Sequence, residues 1–252
     1  GPAALCGVVG LKASRGRHSF APFGDWRFGM AACGCMALTV RDAAAYLDLI
    51  SGNLPGDLHV LEKPPRPFLD ALARKTPGLR IGLMRDNAPD GFKDDPECRK
   101  AVEDVARLCG ELGHDVEEFD SIHDLGTILR CLLVTGDVWI AFRIEQCGKA
   151  LGRLPLESEL EEFIWEAYQR GRKIQAVEHE MAIEEMRKYA FILADCYAPY
   201  DVVLTPTLAR PGIKLGLLKL GREISPEAFR ANMDYTKYIT MLNITGQPGI
   251  CL

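Results

Sequence analysis

Apolar and polar positions along the 252-residue chain repeat with two different periods, and the switches between them outline its elements. Residues 3 to 13 are small and apolar and are broken at Gly7 and Gly10, which predicts a short helix or turn leading into a buried strand at Val8 to Lys12. A glycine-rich, aromatic loop from Gly16 to Gly34 carries Phe20, Phe23, Trp26 and Phe28. Thr39 then offers an N-cap for a helix over Val40 to Ile50, with Ala43, Ala44, Leu47 and Ile50 on its apolar face. Five prolines between Gly52 and Gly78 predict a surface connector over 52–78 with at most one short helix, at Phe68 to Arg74.

Leu79 to Met84 reads as a strand, Asp95 to Leu112 as an amphipathic helix opened by Asp95-Pro96, and Val116 to Phe119 as a second strand. Such a strand-helix-strand unit defaults to a parallel, right-handed crossover. A helical segment over 120–198 follows, interrupted near Gly148 to Pro155, with Leu156, Leu160, Phe163, Ile164, Ala167 and Tyr168 spaced for one buried face. Glu157, Glu159, Glu161 and Glu162 crowd the start of that second helix and Arg170, Arg172 and Lys173 its end, as the helix dipole favours. Asp201 to Thr205 is a β-branched run closed by Pro206, Ser225-Pro226-Glu227 opens a further helix, and Gly246-Gln247-Pro248 precedes a final apolar run.

Composition narrows the class. The chain is 48% hydrophobic and 26% charged, which is ordinary for a globular protein. Its formal charge of -5 is spread without basic clusters, so no nucleic acid or anionic membrane partner is expected. No long apolar span or leader-like start is present, and the expected location is cytoplasmic. Nine irregularly spaced cysteines give no disulfide framework; they read as reduced, mostly buried small hydrophobes. Cys33 and Cys35 share a strand-like stretch, but no histidine lies at ligand spacing, so no metal and no cofactor is expected.

Catalytic chemistry is sparse. No serine stands in a glycine-flanked nucleophile context. Lys12 and Ser14 would share one face of a strand, where a neutral lysine could serve as base, yet a strand end carrying these residues is more often structural. His179-Glu180 begins like a zinc-protease helix, but Ile183 stands where the second histidine belongs. Nucleotide-binding glycine motifs are missing from the sequence.

The segment Pro2 to Lys12 followed by Ser14-Arg15-Gly16-Arg17 closely resembles the stretch after the nucleophile in amidase-signature enzymes. The resemblance continues through Phe28-Gly29-Met30 and Gly34 to Ala44, with Cys35 for the family's proline and Leu38 for its arginine, and returns at Asp201 to Thr207 and Asn243 to Pro248. Ser51-Gly52, Pro55-Gly56-Asp57 and Arg66-Pro67-Phe68 are similar to a branch that includes aminohexanoate cyclic-dimer hydrolases. This likeness implies an α/β fold with a mixed, mainly parallel β-sheet flanked by helices on both faces, here lacking its N-terminal part: residues 1–252 as a partial amidase domain cut at both ends. It implies a serine nucleophile, a cis-linked second serine and a lysine base, all upstream of Pro2, so no catalytic residue is carried onto this chain. Trp139, Trp165, Ile239 and Asn243 are the candidates for the far side of a pocket for a small-molecule amide, although core packing is the commoner role for such tryptophans. A non-catalytic fragment or assembly module is the alternative, and a homo-oligomer is left open by the apolar surface a missing part would expose.

Overall fold

The computed structural model describes residues 1–24, 27, 29–84, 94–120, 125–212, 214 and 235–252. Trp26, Phe28 and the helix expected from Ser225 lie outside the described residues. The chain forms two compact units: Gly1–His123 with Phe191–Gly212 and Tyr235–Leu252, and Asp124–Ala190 with Ile213–Asp234.

In the first unit, α1 (Pro2–Cys6) takes Pro2 in its first turn and stops at Gly7, whose left-handed φ of 64° ends the helix. β1 (Val9–Lys12) runs antiparallel between β2 (Gly34–Ala37) and β6 (Gly249–Cys251). Leu11 lies opposite Cys35 and Ile250, and Lys12 opposite Gly34 and Gly249. α2 (Val40–Ile50) starts where expected because Thr39 both accepts from the Asp42 backbone N–H (3.1 Å) and donates to the Asp42 carboxylate (2.8 Å).

The proline-rich connector is fastened at points the sequence does not announce. Asp48 of α2 accepts from the backbone N–H groups of Phe68 and Leu69 (2.6 and 3.0 Å), capping the short α3 (Phe68–Ala71) from outside it. Asn53 Nδ2 donates to the carbonyls of Gly16 and His59, and Ser19 Oγ donates to Asp57, so the connector lies along the loop that follows β1.

β3 (Arg80–Met84) is the centre of a parallel sheet ordered β4-β3-β5, with β4 at Asp115–Phe119 and β5 at Val202–Leu204. Ile81 to Met84 are all buried, as a central parallel strand covered on both faces requires. α4 (Pro96–Glu111), capped by Asp95 on the Glu97 N–H, lays Val102 and Ala106 against Leu83, with Val116 and Leu204 beside them. The α/β class expected from the sequence stands, its strands divided between one antiparallel and one parallel sheet.

The second unit is built on α5 (Leu125–Leu151), α6 (Glu162–Gly171) and α7 (Ala176–Tyr197), the last of which continues into the first unit from Phe191. Ala141, Ile144 and Tyr168 form its core with Ile140, Leu160, Ile164 and Trp165. A Cβ on Gly171 would lie 2.1 Å from the Asp137 carbonyl oxygen, so the two helix backbones touch there. Beside that contact Arg170 grips Asp137 with two hydrogen bonds of 2.7 and 3.0 Å.

Three expectations need correction. Leu156 is 60% exposed: it precedes a 3-10 turn at Glu157–Glu159 and never joins α6, because the Glu159 carboxylate turns back to the Leu156 N–H and to Arg153. The helical segment has a second break between Gly171 and Ala176, where charged residues mask the stop. None of the nine cysteines is in a disulfide, yet only Cys131 is buried, while Cys6, Cys33 and Cys147 are exposed.

Gly171→Ala is expected to destabilise the chain by about 3 kcal/mol or more through the backbone clash. Gly110→Ala in α4, where nothing lies within 4 Å of the added carbon, is expected to stabilise it by roughly 0.5–1 kcal/mol. Urea unfolding of the two variants checks both signs.

Candidate functional site

The helix that carries two of the candidate residues is α8 (Lys237–Thr245). It ends because Gly246 turns left-handed at φ 75°, its N–H bonded to the Leu242 carbonyl, while Thr245 Oγ1 donates back to Met241 O. The Asn243 to Pro248 block is therefore a helix C-terminus and turn that feeds β6 onto β1.

Arg15 fixes this turn in place. Its Nε donates to Gly29 O (2.7 Å) and its Nη2 to Asn243 O (3.1 Å) and Ile244 O (2.8 Å), while its backbone N–H donates to Gly246 O (2.9 Å). One guanidinium thus satisfies carbonyls at the end of α8 that have no partner within the helix, and its charge suits the negative end of the helix dipole.

Lys12 ends β1, three residues before Arg15. Burial, with a smaller contribution from the Arg15 charge, lowers its amine from the ordinary 10.5 to about 8. The amine donates to the Ala13 carbonyl at 2.9 Å, and Ser14 receives no bond from it. The lysine-serine pair considered from the sequence does not form.

At the other end of α8 a charged residue sits on the buried face. Lys237, Met241 and Ile244 share that face, and the Lys237 amine lies 3.0 Å from Asp94 Oδ1 with both side chains almost fully buried. Tyr238 donates its hydroxyl to Asp94 Oδ2, and the Lys237 ammonium stands 5.0 Å from the Tyr238 ring centroid. The repeat of apolar positions could have flagged Lys237 as a buried cation in need of a carboxylate, but nothing in the sequence names Asp94.

The structure distributes the four candidates between the two units. Ile239 is half-buried, and its Cδ1 is 2.9 Å from where a Cβ on Gly1 would stand, so α8 lies against the first residue of the chain. Asn243 is exposed, with its carbonyl held by Arg15. Trp139 is half-buried in α5 with the Arg143 guanidinium 5.9 Å from its ring centroid. Trp165 packs on the second unit's core, its ring 5.5 Å from that of Tyr168. Among the described residues no group of three or more His, Cys, Asp or Glu side chains is placed to hold a metal ion, and no helix is long and apolar enough to cross a membrane.

The amidase family model matches residues 1–252. The 6-aminohexanoate-cyclic-dimer hydrolase of Pseudomonas sp. (strain NK87) is 32% identical over 262 aligned positions, covering 100% of this chain and 53% of that protein. Its counterpart from Paenarthrobacter ureafaciens gives the same figures, 32% identity with 100% and 53% coverage. A solved structure of 6-aminohexanoate cyclic dimer hydrolase superposes with a TM-score of 0.91 at 31% identity, covering 100% of this chain and 54% of that one. The chain belongs to the amidase signature family. It spans about half the length of the curated relatives it matches.

Arg15→Met is expected to lower stability by roughly 2–3 kcal/mol, with Arg15→Lys recovering less than half, since one ammonium cannot reach acceptors in three directions; denaturant titration measures both. Lys12 gives a pH signature. Because its folded value of about 8 lies below 10.5, the unfolded chain binds more protons between those limits, and stability rises with pH across that window. The wild-type unfolding free energy is expected to climb relative to Lys12→Met from about pH 8 to about pH 10.5 and to run parallel below it, as pH-dependent unfolding would show.

Proposed function

We propose that residues 1–252 are part of a single amide-hydrolase domain that cleaves C–N amide bonds through an acyl-serine intermediate. The serine nucleophile, cis-linked serine and lysine base would come from chain ahead of Gly1. The match of the family model to every residue of this chain is the observation that supports the reading best. A second observation agrees with it: among the described residues no serine hydroxyl is bonded to a lysine or histidine. Ser19 is engaged by Asp57 and Ser51 by the Leu47 carbonyl. An acyl-serine mechanism needs a base near its nucleophile, so this arrangement supports a nucleophile supplied from elsewhere.

In this reading the substrate is a small linear or cyclic amide, and Ile239 and Asn243 of the first unit and Trp139 and Trp165 of the second are the candidates for contacting it. Ile239 has the firmest support, because it meets the residue that the expected nucleophile precedes by a short stretch. No cofactor takes part.

The isolated chain is expected neither to react with a serine-directed fluorophosphonate nor to turn over amides. A chain extended by the preceding amidase segment is expected to do both and to lose both when the added serine is changed to alanine. Ile239→Trp in that extended protein should raise KM about tenfold or more with a smaller change in kcat. Turnover by the isolated chain that disappears in Lys12→Met or Ser14→Ala would overturn the reading, as would an extended protein inert to both the fluorophosphonate and a panel of amides.

A further inference from the structure

Two cysteines stand closer together in the chain than any other pair. Cys33 and Cys35 flank Gly34 where the chain enters β2. The β1–β2 register, which sets Leu11 opposite Cys35 and Lys12 opposite Gly34, continues by one position, since the Ala13 N–H donates to the Cys33 carbonyl (3.4 Å). Residues two apart in such a ladder present their side chains on the same face, so both thiols leave one side of the sheet. Cys33 is exposed, Cys35 is half-buried, and neither is in a disulfide.

The backbone that carries them is fixed. The Cys33 N–H donates to His18 Nε2 (2.7 Å), its carbonyl is held by Ala13, and a Cβ on Gly34 would collide with the Leu11 carbonyl, so β1 presses against the residue between the two thiols. Tyr46 of α2 stands on the thiol side. Burial raises its phenol, and the charges of Cys33 and Cys35 each raise it further, which puts both sulfurs within electrostatic reach of one side chain. Direct oxidation suits this geometry poorly, because alternate residues of a strand have Cα atoms about 6.5–7 Å apart, at the far end of what a disulfide spans. An atom inserted between the sulfurs lengthens the link, and soft thiolates select a soft one.

We propose that Cys33 and Cys35 form a dithiol clamp for a thiophilic metalloid of the trivalent organoarsenical class. The dihydroxy arsenical exchanges both of its hydroxyls for sulfur: two As–S bonds form, two As–O bonds break, and each thiol proton leaves with a hydroxide as water. Arsenic stays trivalent, so no oxidant or reductant takes part. Two sulfurs and its own carbon complete its three bonds, which fits a place where, among the described residues, no group of three or more His, Cys, Asp or Glu side chains is placed to hold a metal ion. Cys35 stands where the amidase-signature block has proline, so the pair is a feature of this chain and independent of the amide chemistry proposed above.

Mass spectrometry of the 252-residue chain with phenylarsine oxide, which water hydrates to the dihydroxy form, tests it. One adduct per chain is expected to persist in excess glutathione, a monothiol, and to be stripped by dithiothreitol, because the second sulfur acts at a high effective concentration. Cys33→Ser and Cys35→Ser should each cut glutathione-resistant binding about tenfold or more, while Cys6→Ser and Cys147→Ser, which remove exposed thiols elsewhere, should leave it unchanged. In the wild type the adduct should shield Cys33 and Cys35 together from iodoacetamide, a readout that needs no variant. The proposal is overturned if no adduct forms, if glutathione strips the wild-type adduct as readily as that of the Cys33 or Cys35 variant, or if the shielded thiols are any other pair.

Discussion

The guanidinium of Arg15 is the constraint on which the first unit's arrangement rests. It joins residues up to 229 positions apart, holding the end of α8 and the Gly29 loop to the stretch that leaves β1. Without it the last carbonyls of α8 would need water, and only the Arg15 N–H bond to Gly246 O and the short β6, which pairs with β1 over three residues, would hold the register. A three-residue antiparallel pairing is weak by itself. A cation that takes three carbonyls in a fixed fork is not, since charge-assisted hydrogen bonds are roughly twice as strong as neutral ones. The same cation adds to the burial that depresses the Lys12 amine, so a structural clamp leaves an electrostatic mark on its neighbour.

Burial separates the ion pairs that matter from those that do not. Lys237 and Asp94 expose 6% and 3% of their side chains, whereas Arg170 exposes 48% against 9% for Asp137. Removing one partner from a fully buried pair strands a charge and costs about 3–5 kcal/mol, while pairs open to water contribute about 0–1 kcal/mol. Loss of either Lys237 or Asp94 is therefore expected to cost more than loss of a partner from any surface pair. The Asp137 pair falls between these limits, and its orientation is set as much by the close approach at Gly171 as by its charges.

What could be read from the sequence follows from range. The N-caps Thr39 and Asp95 and the parallel pairing of β3 with β4 depend on residues within a few turns of each other or on one crossover, and each was legible. The Gly171 to Ala176 break was hidden because polar residues continue through it, and Leu156 was misplaced because its spacing fits a helix that Glu159 prevents from starting there. The site was legible as motif blocks and not as contacts. Asn243 to Pro248 could be recognised from its residues, but that Arg15 would grip it, or that Lys237 would find Asp94, depends on distant chain segments. Of the four proposed pocket residues, Trp165 shows why residue type alone is a poor guide: its ring packs on the helical core as many tryptophans do.

The antiparallel sheet leaves two of its described strands with an open edge. Among the described strands, β2 and β6 each pair with β1 and with nothing on their outer sides. Met36, Leu38, Ile250 and Leu252 on or beside these strands are half-exposed or more. Open strand edges carrying apolar side chains template association unless something covers them, and folded proteins protect them with charge, proline or further chain. None of those four residues is charged, and the matched relatives are about twice as long. An uncharged apolar edge of this kind is a surface that calls for cover.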